Sequence, residues 1–219
     1  MKKVSLFCPQ LSASMYIPKL YRNNDFPEIE KFLRQHSFAA LISLHEGKHW
    51  ATHLPLELEV NEQGEKVLWG HFSKANPQWK SFGENQEVMA IFMGPHSYIS
   101  SSWYDHVNVP TWNYIAVHVY GKVKLIEGDQ LHEALRRLVN KYEVISKNPV
   151  SIDTMPEEFV RKEIKGVIGF EISIEKIEGA WKLSQNRNDV NFQYIIDELE
   201  KLQDVNANEV AAEMKKIRP

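Results

Sequence analysis

The sequence predicts an α+β fold in which six antiparallel β-strands form a barrel, with peripheral helices and a helical C-terminal appendage. Six apolar or alternating runs lie between residues 38 and 179, and short polar turns separate the first three. Such runs are typical of antiparallel strands. The long helical patterns come late in the chain and do not alternate with the strands, so the order is not that of a parallel sheet. An antiparallel barrel follows from these two observations.

The composition is that of an ordinary globular protein. Of the 219 residues, 43% are hydrophobic and 25% are charged, and the formal net charge is −3. This charge excludes a general attraction to nucleic acid or to an anionic membrane. The single cysteine, Cys8, excludes an internal disulfide framework and fits a reducing compartment. No apolar run is as long as a membrane helix. We therefore predict a cytoplasmic protein with no membrane partner.

Alternation of apolar residues predicts the individual strands. Phe38, Ala40, Ile42 and Leu44 share one side of the first strand. In the second, one face carries Leu54, Leu56, Leu58 and Val60, and in the fifth one face carries Val117, Val119, Val123 and Leu125. The predicted strands are residues 38–44, 49–60, 67–72, 87–94, 112–128 and 167–179.

Capping residues and helical periodicity predict the helices. Asp25 and Pro27 are typical of the start of a helix, Asp129 is a predicted N-cap, and Gly166 is a predicted stop. The predicted helices are residues 27–36, 76–82, 129–143 and 156–166, with one or two more in 189–217. We predict three parts in the chain: a flexible N-terminal extension (1–14), the barrel domain (15–187) and a helical C-terminal appendage (188–219).

The segment "GHFSKANPQW" (residues 70–79) is the first candidate site. It fits a plain strand, turn and helix, in which Ser73 caps and Pro77 begins the helix. It also fits a phosphate site, because a helix N-terminus offers free N–H groups, Ser73 offers a hydroxyl and Lys74 a positive charge. The motif alone does not decide between the two interpretations.

Three further segments are rich in hydroxyls, amides and aromatic rings outside the apolar pattern. These are "YISSSWY" (98–104), "VPTWNY" (109–114) and "WKLSQN" (181–186). Such groups suit a phosphate-bearing cofactor, and equally a folded loop or a subunit interface.

These motifs, together with "THLPL" and "VHVYG", resemble the PaiB family in content and in order. The resemblance covers residues 15–200. Members of this family are FMN-binding negative transcriptional regulators of sporulation and protease synthesis. The resemblance implies an FMN-binding split barrel, similar to pyridoxamine-phosphate oxidase, which forms a homodimer and holds the flavin at the subunit interface.

The resemblance also implies the residues that contact FMN. Ser73 and Lys74 would contact the phosphate, and His53 lies on a strand that runs along the flavin. The long interface strand and the end of the last strand would complete the site. The full set is Thr52, His53, Leu54, His71, Ser73, Lys74, Asn76, Trp112, Asn113, Tyr114, Lys182, Ser184 and Gln185.

The regulatory role does not require contact with DNA. The sequence holds no helix-turn-helix pair with a basic recognition face, and Glu133 and Glu143 offset Arg136 and Arg137. DNA is therefore a candidate partner that no sequence motif supports. A genetic effect exerted through a flavin reaction is one interpretation. A flavin-dependent oxidoreductase acting on a small substrate is an alternative, and a haem-binding split barrel with His118 as a ligand is another.

No catalytic residue is predicted with a defined role. By position, His53 and His71 are the candidates for an acid or base, and each also fits a structural histidine. His45, His49 and His53 have a spacing used in metal sites on helices, but a turn divides this segment, so we predict no metal. Ser102, Asp105 and His106 are neighbours in one loop, and their order alone does not define a triad.

Overall fold

The computed structural model describes residues 14–83 and 86–218. In this part of the chain, eight strands form one antiparallel sheet in the order β3-β2-β6-β7-β8-β5-β4, and β1 pairs with β8. The strands are β1 (Arg22–Asn23), β2 (Phe38–His45), β3 (Lys48–Pro55), β4 (Glu57–Val60), β5 (Lys66–Ser73), β6 (Gln86–Ile99), β7 (Thr111–Ile126) and β8 (Val167–Lys182).

The predicted number of six strands was wrong, because the predicted strand 49–60 divides at Leu56. β3 pairs with β2, whereas β4 pairs with β5 at the opposite end of the sheet order. The Leu56 N–H donates to the Ser37 carbonyl at 2.8 Å rather than to a ladder partner. The short β1 supplies the eighth strand. The chain between β3 and β4 thus links the two ends of the sheet, which curls without closing.

The buried face of the sheet differs at several positions from the apolar face that alternation in the sequence predicts. Ala39 and Leu41 of β2 are buried, while Phe38 is 65% exposed on the opposite face. Val60 and Leu125 are also exposed, at 48% and 38%. Apolar alternation identified these strands correctly but did not reveal which face is covered.

Five α-helices surround the sheet. The side chain of Asp25 accepts from Glu28 N–H and caps α1 as predicted. Asp129 is not the cap of α2, because the helix begins one residue earlier at Gly128 and Asp129 lies in its first turn. The helices are α1 (Phe26–Gln35), α2 (Gly128–Glu143), α3 (Glu157–Ile164), α4 (Asp189–Lys201) and α5 (Val205–Ile217).

The last two helices share the core of the sheet. Phe192 and Ile195 of α4 and Val210 and Met214 of α5 belong to one buried apolar cluster with Phe92 of β6. The predicted N-terminal extension, residues 1–14, lies outside the described residues except for Ser14. No helix in the described part of the chain is both long and apolar enough to span a bilayer.

Candidate functional site

The first group of predicted residues surrounds the turn that follows β5, which we call the β5 turn (Ser73–Asn76). Ser73 and Lys74 are exposed, and Pro77–Ser81 forms a 3₁₀ helix rather than an α-helix. Asn76, not Ser73, caps this helix by accepting from Gln78 N–H at 3.0 Å. The predicted strand, turn and helix are thus present, with a different capping residue.

Most backbone N–H groups of the β5 turn already have partners. The N–H of Lys74 donates to Gly166 O at 2.7 Å, and that of Asn76 donates to Ser73 O at 2.9 Å. The helix terminus therefore offers few free donors to a phosphate. The Lys74 ammonium and the Ser73 hydroxyl remain available, and these groups suit a phosphate without the backbone.

A buried glutamine anchors the β5 turn from inside. Gln78 is 1% exposed, and its amide donates to Leu41 O at 3.2 Å and to Ser43 Oγ at 3.0 Å. Thr52 Oγ1 donates to Gln78 Oε1 at 2.5 Å and accepts from Asn76 Nδ2 at 2.9 Å. Thr52 and Asn76 thus fix the position of the turn, and their side chains are engaged with protein. Sequence reasoning missed Gln78, for which the only signal was its place directly after "NP".

The neighbouring residues of β3 lie on opposite faces. Leu54 is 5% exposed and belongs to the apolar core. His53 points outward, with its ring centroid 6.5 Å from that of Phe38. His53 and Phe38 line a groove of about 620 Å³ together with Ile91 and Met93. The lining of this groove combines apolar side chains with polar and charged ones, among them Arg34, Gln35 and Lys141.

His71 lies on the face of β5 that α2 covers. It lines a small cavity with Trp69 and with Leu131 and Leu135 of α2. Burial lowers the pKa of His71 below its usual value of 6.5, so the side chain is neutral at pH 7. His71 and His53 line two different cavities, which share Lys141 in their linings.

The second group lies where β8 ends beside the start of β7, and we call it the β8 end (Lys182–Gln185). Tyr114 pairs with Lys182 in the β7–β8 ladder. Lys182 Nζ donates to Thr111 Oγ1 at 2.6 Å. Trp112 is 52% exposed on the outer face of the sheet. These groups leave aromatic and cationic atoms accessible.

Other members of the second group are engaged in the interior. Asn113 is completely buried, accepts from Ser184 Oγ at 3.0 Å, and donates to Met214 Sδ at 3.4 Å. Gln185 accepts from Leu183 N–H at 2.8 Å and donates to Trp181 O at 2.5 Å. Ser184 adopts a positive φ of 61°, which turns the chain sharply after β8. These side chains hold the β8 end in shape.

The two groups lie at opposite ends of β8. Ser73 pairs with Val167 at the start of β8, and Tyr114 pairs with Lys182 at its end. Fourteen residues of β8 lie between Val167 and Lys182. The strand pairing therefore separates the β5 turn from the β8 end within one protomer.

The structure also places the other constellations considered from the sequence. His106 Nδ1 lies 2.6 Å from Asp105 Oδ1, but Ser102 bonds to Ser100 instead, so no triad is assembled. His118 Nδ1 lies 3.4 Å from the Tyr120 hydroxyl on the outer face. Across residues 14–83 and 86–218, no three His, Cys, Asp or Glu side chains form a group that could hold a metal ion. Cys8 lies outside the described residues.

Solved structures with the same fold include proteins that are named for a flavin. The FAD and heme binding protein from Mycobacterium smegmatis superposes with a TM-score of 0.58 at 13% identity, over 74% of this chain and 73% of that one. The flavocytochrome Anf3 from Azotobacter vinelandii superposes with a TM-score of 0.57 at 17% identity, over 79% and 75%. The chain therefore shares the fold of these two proteins.

The sequence comparisons assign the chain within this class. Residues 15–176 match the family model described as "Putative FMN-binding domain". The chain is 43% identical over 197 residues to the protease synthase and sporulation protein PAI 2 of Bacillus subtilis, covering 90% of this chain and 95% of that protein. It is 28% identical to the uncharacterized protein AN0679 of Emericella nidulans, over 69% and 75%. The chain belongs to this PaiB family of FMN-binding domains, and FMN is its cofactor.

Proposed function

We propose that the protein binds FMN between two copies of the chain and acts as a negative regulator through the flavin rather than by reading DNA. One observation supports this proposal: the β5 turn and the β8 end, which both hold predicted site residues, lie at opposite ends of β8. In a homodimer, the β5 turn of one protomer and the β8 end of its partner can face the same flavin.

The residues of each protomer have distinct tasks in this arrangement. Lys74 and Ser73 hold the FMN phosphate, since both are exposed. The Ser73 hydroxyl accepts from Ala75 N–H at 3.4 Å and can still donate its own proton. Phe38 and Met93 offer an apolar surface to the ring system in the groove beside His53. Lys182 and Trp112 enclose the flavin from the second protomer. FMN supplies the redox chemistry, and the protein binds and orients it.

The outer face of the sheet supports the second copy as the partner. Large apolar side chains on β2, β6 and β7 are exposed there, which is unusual for a sheet face that stays in water. They are Phe38 (65% exposed), Leu44 (48%), Met93 (49%), Tyr98 (45%) and Trp112 (52%). Because this face is continuous with the groove, one interface would bury both.

The arginines of α2 do not favour direct recognition of DNA. Arg136 Nε donates to Glu133 at 2.7 Å, and Arg137 donates to Glu133 and to Glu59, both at 2.7 Å. Hydrogen bonds from these two arginines lower the pKa of Glu133 to about 2. With these charges compensated and a net charge of −3, the chain lacks an obvious surface for the phosphate backbone.

Titration of FMN by fluorescence quenching tests the cofactor site. We expect saturable binding by the wild type, and binding about tenfold weaker or more for Lys74→Ala, because a charge-assisted contact to the phosphate is lost. Lys80→Ala is the matched control, since Lys80 is exposed on the adjacent 3₁₀ helix and makes the same change in net charge. Equal weakening in both variants would contradict the assignment of Lys74.

Sedimentation velocity tests the dimer. We expect twice the monomer mass for the wild type and the monomer mass for Met93→Glu, which puts a charge on the outer face. Val205→Glu is the control, since Val205 is exposed on α5. FMN binding that survives in a Met93→Glu monomer would reject the shared site. Specific retardation of promoter DNA would reject the indirect route, and turnover of a reduced nicotinamide would favour an oxidoreductase.

A further inference from the structure

Two polar side chains with buried, unpartnered atoms, Tyr104 and Arg187, lie in contact beside the β8 end. Across residues 14–83 and 86–218, three buried side-chain atoms have neither a hydrogen bond nor an ion pair: Tyr104 OH, Asn108 Nδ2 and Arg187 Nε. Glu171 Oε1 is also buried without a hydrogen bond, but it lies 2.8 Å from Lys124 Nζ. Native structures contain few such atoms, and each calls for a ligand, an ion or an ordered water. Tyr104 and Arg187 are in contact, and Asn108 stands four residues after Tyr104 in the same loop, so these atoms point to a shared partner.

The local structure holds these atoms around one loop. The Arg187 guanidinium lies 4.9 Å from the centroid of the Tyr104 ring, and Arg187 N–H donates to Ser184 O at 3.0 Å. At the other end of the loop, Thr111 accepts from Lys182 at 2.6 Å. In the sequence, Asn108 lies between Tyr104 and Thr111. The loop between β6 and β7 is therefore flanked by two cationic side chains from the end of β8.

The positive charges of this region are not compensated. Neither Lys182 nor Arg187 has a carboxylate within ion-pair distance among the described residues. Burial lowers the pKa of Lys182, and the charge of Arg187 lowers it further, so the two cations are within electrostatic reach of one another. The nearest acid of the loop, Asp105, is bonded to His106 at 2.6 Å and to Asn191 at 2.9 Å.

We propose that the Arg187 cluster (Tyr104, Asn108, Lys182 and Arg187) binds the oxyanion group, a carboxylate or phosphate, of a small molecule that acts beside the flavin. Every unpartnered atom can donate a hydrogen bond, and both charges are positive, which is the donor set that recognises an oxyanion. The half-buried position of Lys182 and Arg187 leaves them reachable from solvent. The statement that this small molecule acts beside the flavin rests on the proposed function, in which the β8 end faces the flavin held by the partner protomer.

Thermal stabilisation by inorganic phosphate tests the oxyanion site on the flavin-free full-length chain. At matched ionic strength, we expect phosphate to raise the melting temperature of the wild type, since a ligand that binds the folded state stabilises it. The apparent affinity falls about tenfold or more in Arg187→Gln, because a charge-assisted hydrogen bond is lost. Arg161→Gln keeps the wild-type response, since Arg161 is exposed on α3. Acetate, used as a second probe, tests whether a carboxylate is also accepted.

A second variant keeps the test decisive if Arg187→Gln folds poorly. Asn108→Asp has nearly the same shape but replaces the unpartnered donor with a negative charge, so it abolishes the phosphate response with an unchanged circular dichroism spectrum. No stabilisation of the wild type by phosphate or acetate would mean that water fills the cluster, and would overturn the proposal. A response that is lost in Lys74→Ala but kept in Arg187→Gln would assign the phosphate to the β5 turn and overturn it equally.

Parallel titrations with FMN and with riboflavin, which lacks the phosphate, distinguish the source of the oxyanion. We expect Arg187→Gln to bind both flavins as the wild type does. If Arg187→Gln loses affinity for FMN but not for riboflavin, the cluster holds the phosphate of the cofactor, and the second ligand is rejected. If the wild type binds neither flavin, the proposed function fails, while the phosphate response still decides whether the Arg187 cluster is an oxyanion site.

Discussion

The β5 turn and the Arg187 cluster both present cations, but they differ in what surrounds them. In the β5 turn, the backbone donors are paired, the anchor Gln78 is fully bonded, and Lys74 is exposed. In the Arg187 cluster, buried donors lack partners and no acid compensates Lys182 and Arg187. The first region is complete without a ligand, whereas the second is not.

This difference separates two kinds of evidence for binding. An exposed lysine beside a well-bonded turn costs the folded protein little, so only the family relationship and a titration connect it with FMN. Buried donors without partners destabilise the folded state until something bonds to them. The Arg187 cluster is therefore the region where the structure itself argues for a ligand.

The largest effect is expected from removing the anchor of the β5 turn. Gln78→Ala deletes the bonds to Leu41 O and Ser43 Oγ and leaves Thr52 without its acceptor. We expect the free energy of unfolding to fall by about 2–4 kcal/mol, measured by urea denaturation. Gln86→Ala is the matched control, because Gln86 is half-exposed and donates to the adjacent Glu87 O; we expect a change within about 0.5 kcal/mol. Similar losses in both would show that Gln78 is not an anchor.

The strands indicate how far sequence reasoning extends. Alternation located the strands, because a half-buried sheet imposes a period of two on the side chains. It did not reveal the break at Leu56, since apolar alternation continues through it while the hydrogen-bond partners change from β2 to β5. It also could not identify the covered face of β2, since both faces carry apolar residues.

The candidate site was predictable only where its residues are close in sequence. Ser73, Lys74 and Asn76 stand in one motif, and the family relationship connected them with FMN. Tyr104, Asn108 and Arg187 were not predicted, because the β7–β8 ladder and the sharp turn at Ser184 bring them together from distant positions. The lack of partners for their side chains is a property of the folded structure and leaves no sequence signal.

A smaller effect on the free energy of unfolding is expected from removing one of two tyrosine hydroxyls, that of Tyr142 or that of Tyr104. The Tyr142 hydroxyl, beside the groove of His53, donates to Glu57 at 2.8 Å and contacts Ser37 Oγ at 2.5 Å. The Tyr104 hydroxyl has no partner. We expect Tyr142→Phe to lower the free energy of unfolding by about 1–2 kcal/mol. Tyr104→Phe in the flavin-free, phosphate-free protein should leave it unchanged or raise it slightly, because an unsatisfied buried group is removed.

Urea denaturation of the two phenylalanine variants under identical conditions checks this prediction. Both substitutions remove one oxygen from a ring; Tyr142 is 45% exposed and Tyr104 is 9% exposed, so a loss at the more exposed Tyr142 reflects the bonds of its hydroxyl. A loss for Tyr104→Phe as large as that for Tyr142→Phe would mean that the Tyr104 hydroxyl is bonded to ordered water. The argument for a ligand would then rest on Asn108 and Arg187 alone.

The smallest effect is a dependence of stability on pH that arises at His71, between the β5 turn and α2. Burial lowers the pKa of His71 in the folded state below 6.5, so the unfolded chain binds more protons as the pH falls through 6.5. Stability is therefore complete above pH 6.5 and decreases as the pH falls toward the lowered value. His36 and His118, whose pKa values burial also lowers, act in the same direction.

We expect the melting temperature of His71→Gln to fall less than that of the wild type between about pH 7 and pH 5.5. His49→Gln, at an exposed position on β3, is the control. If His71→Gln follows the wild-type curve, the imidazole of His71 is hydrated in the folded protein, and α2 does not seal this side of β5.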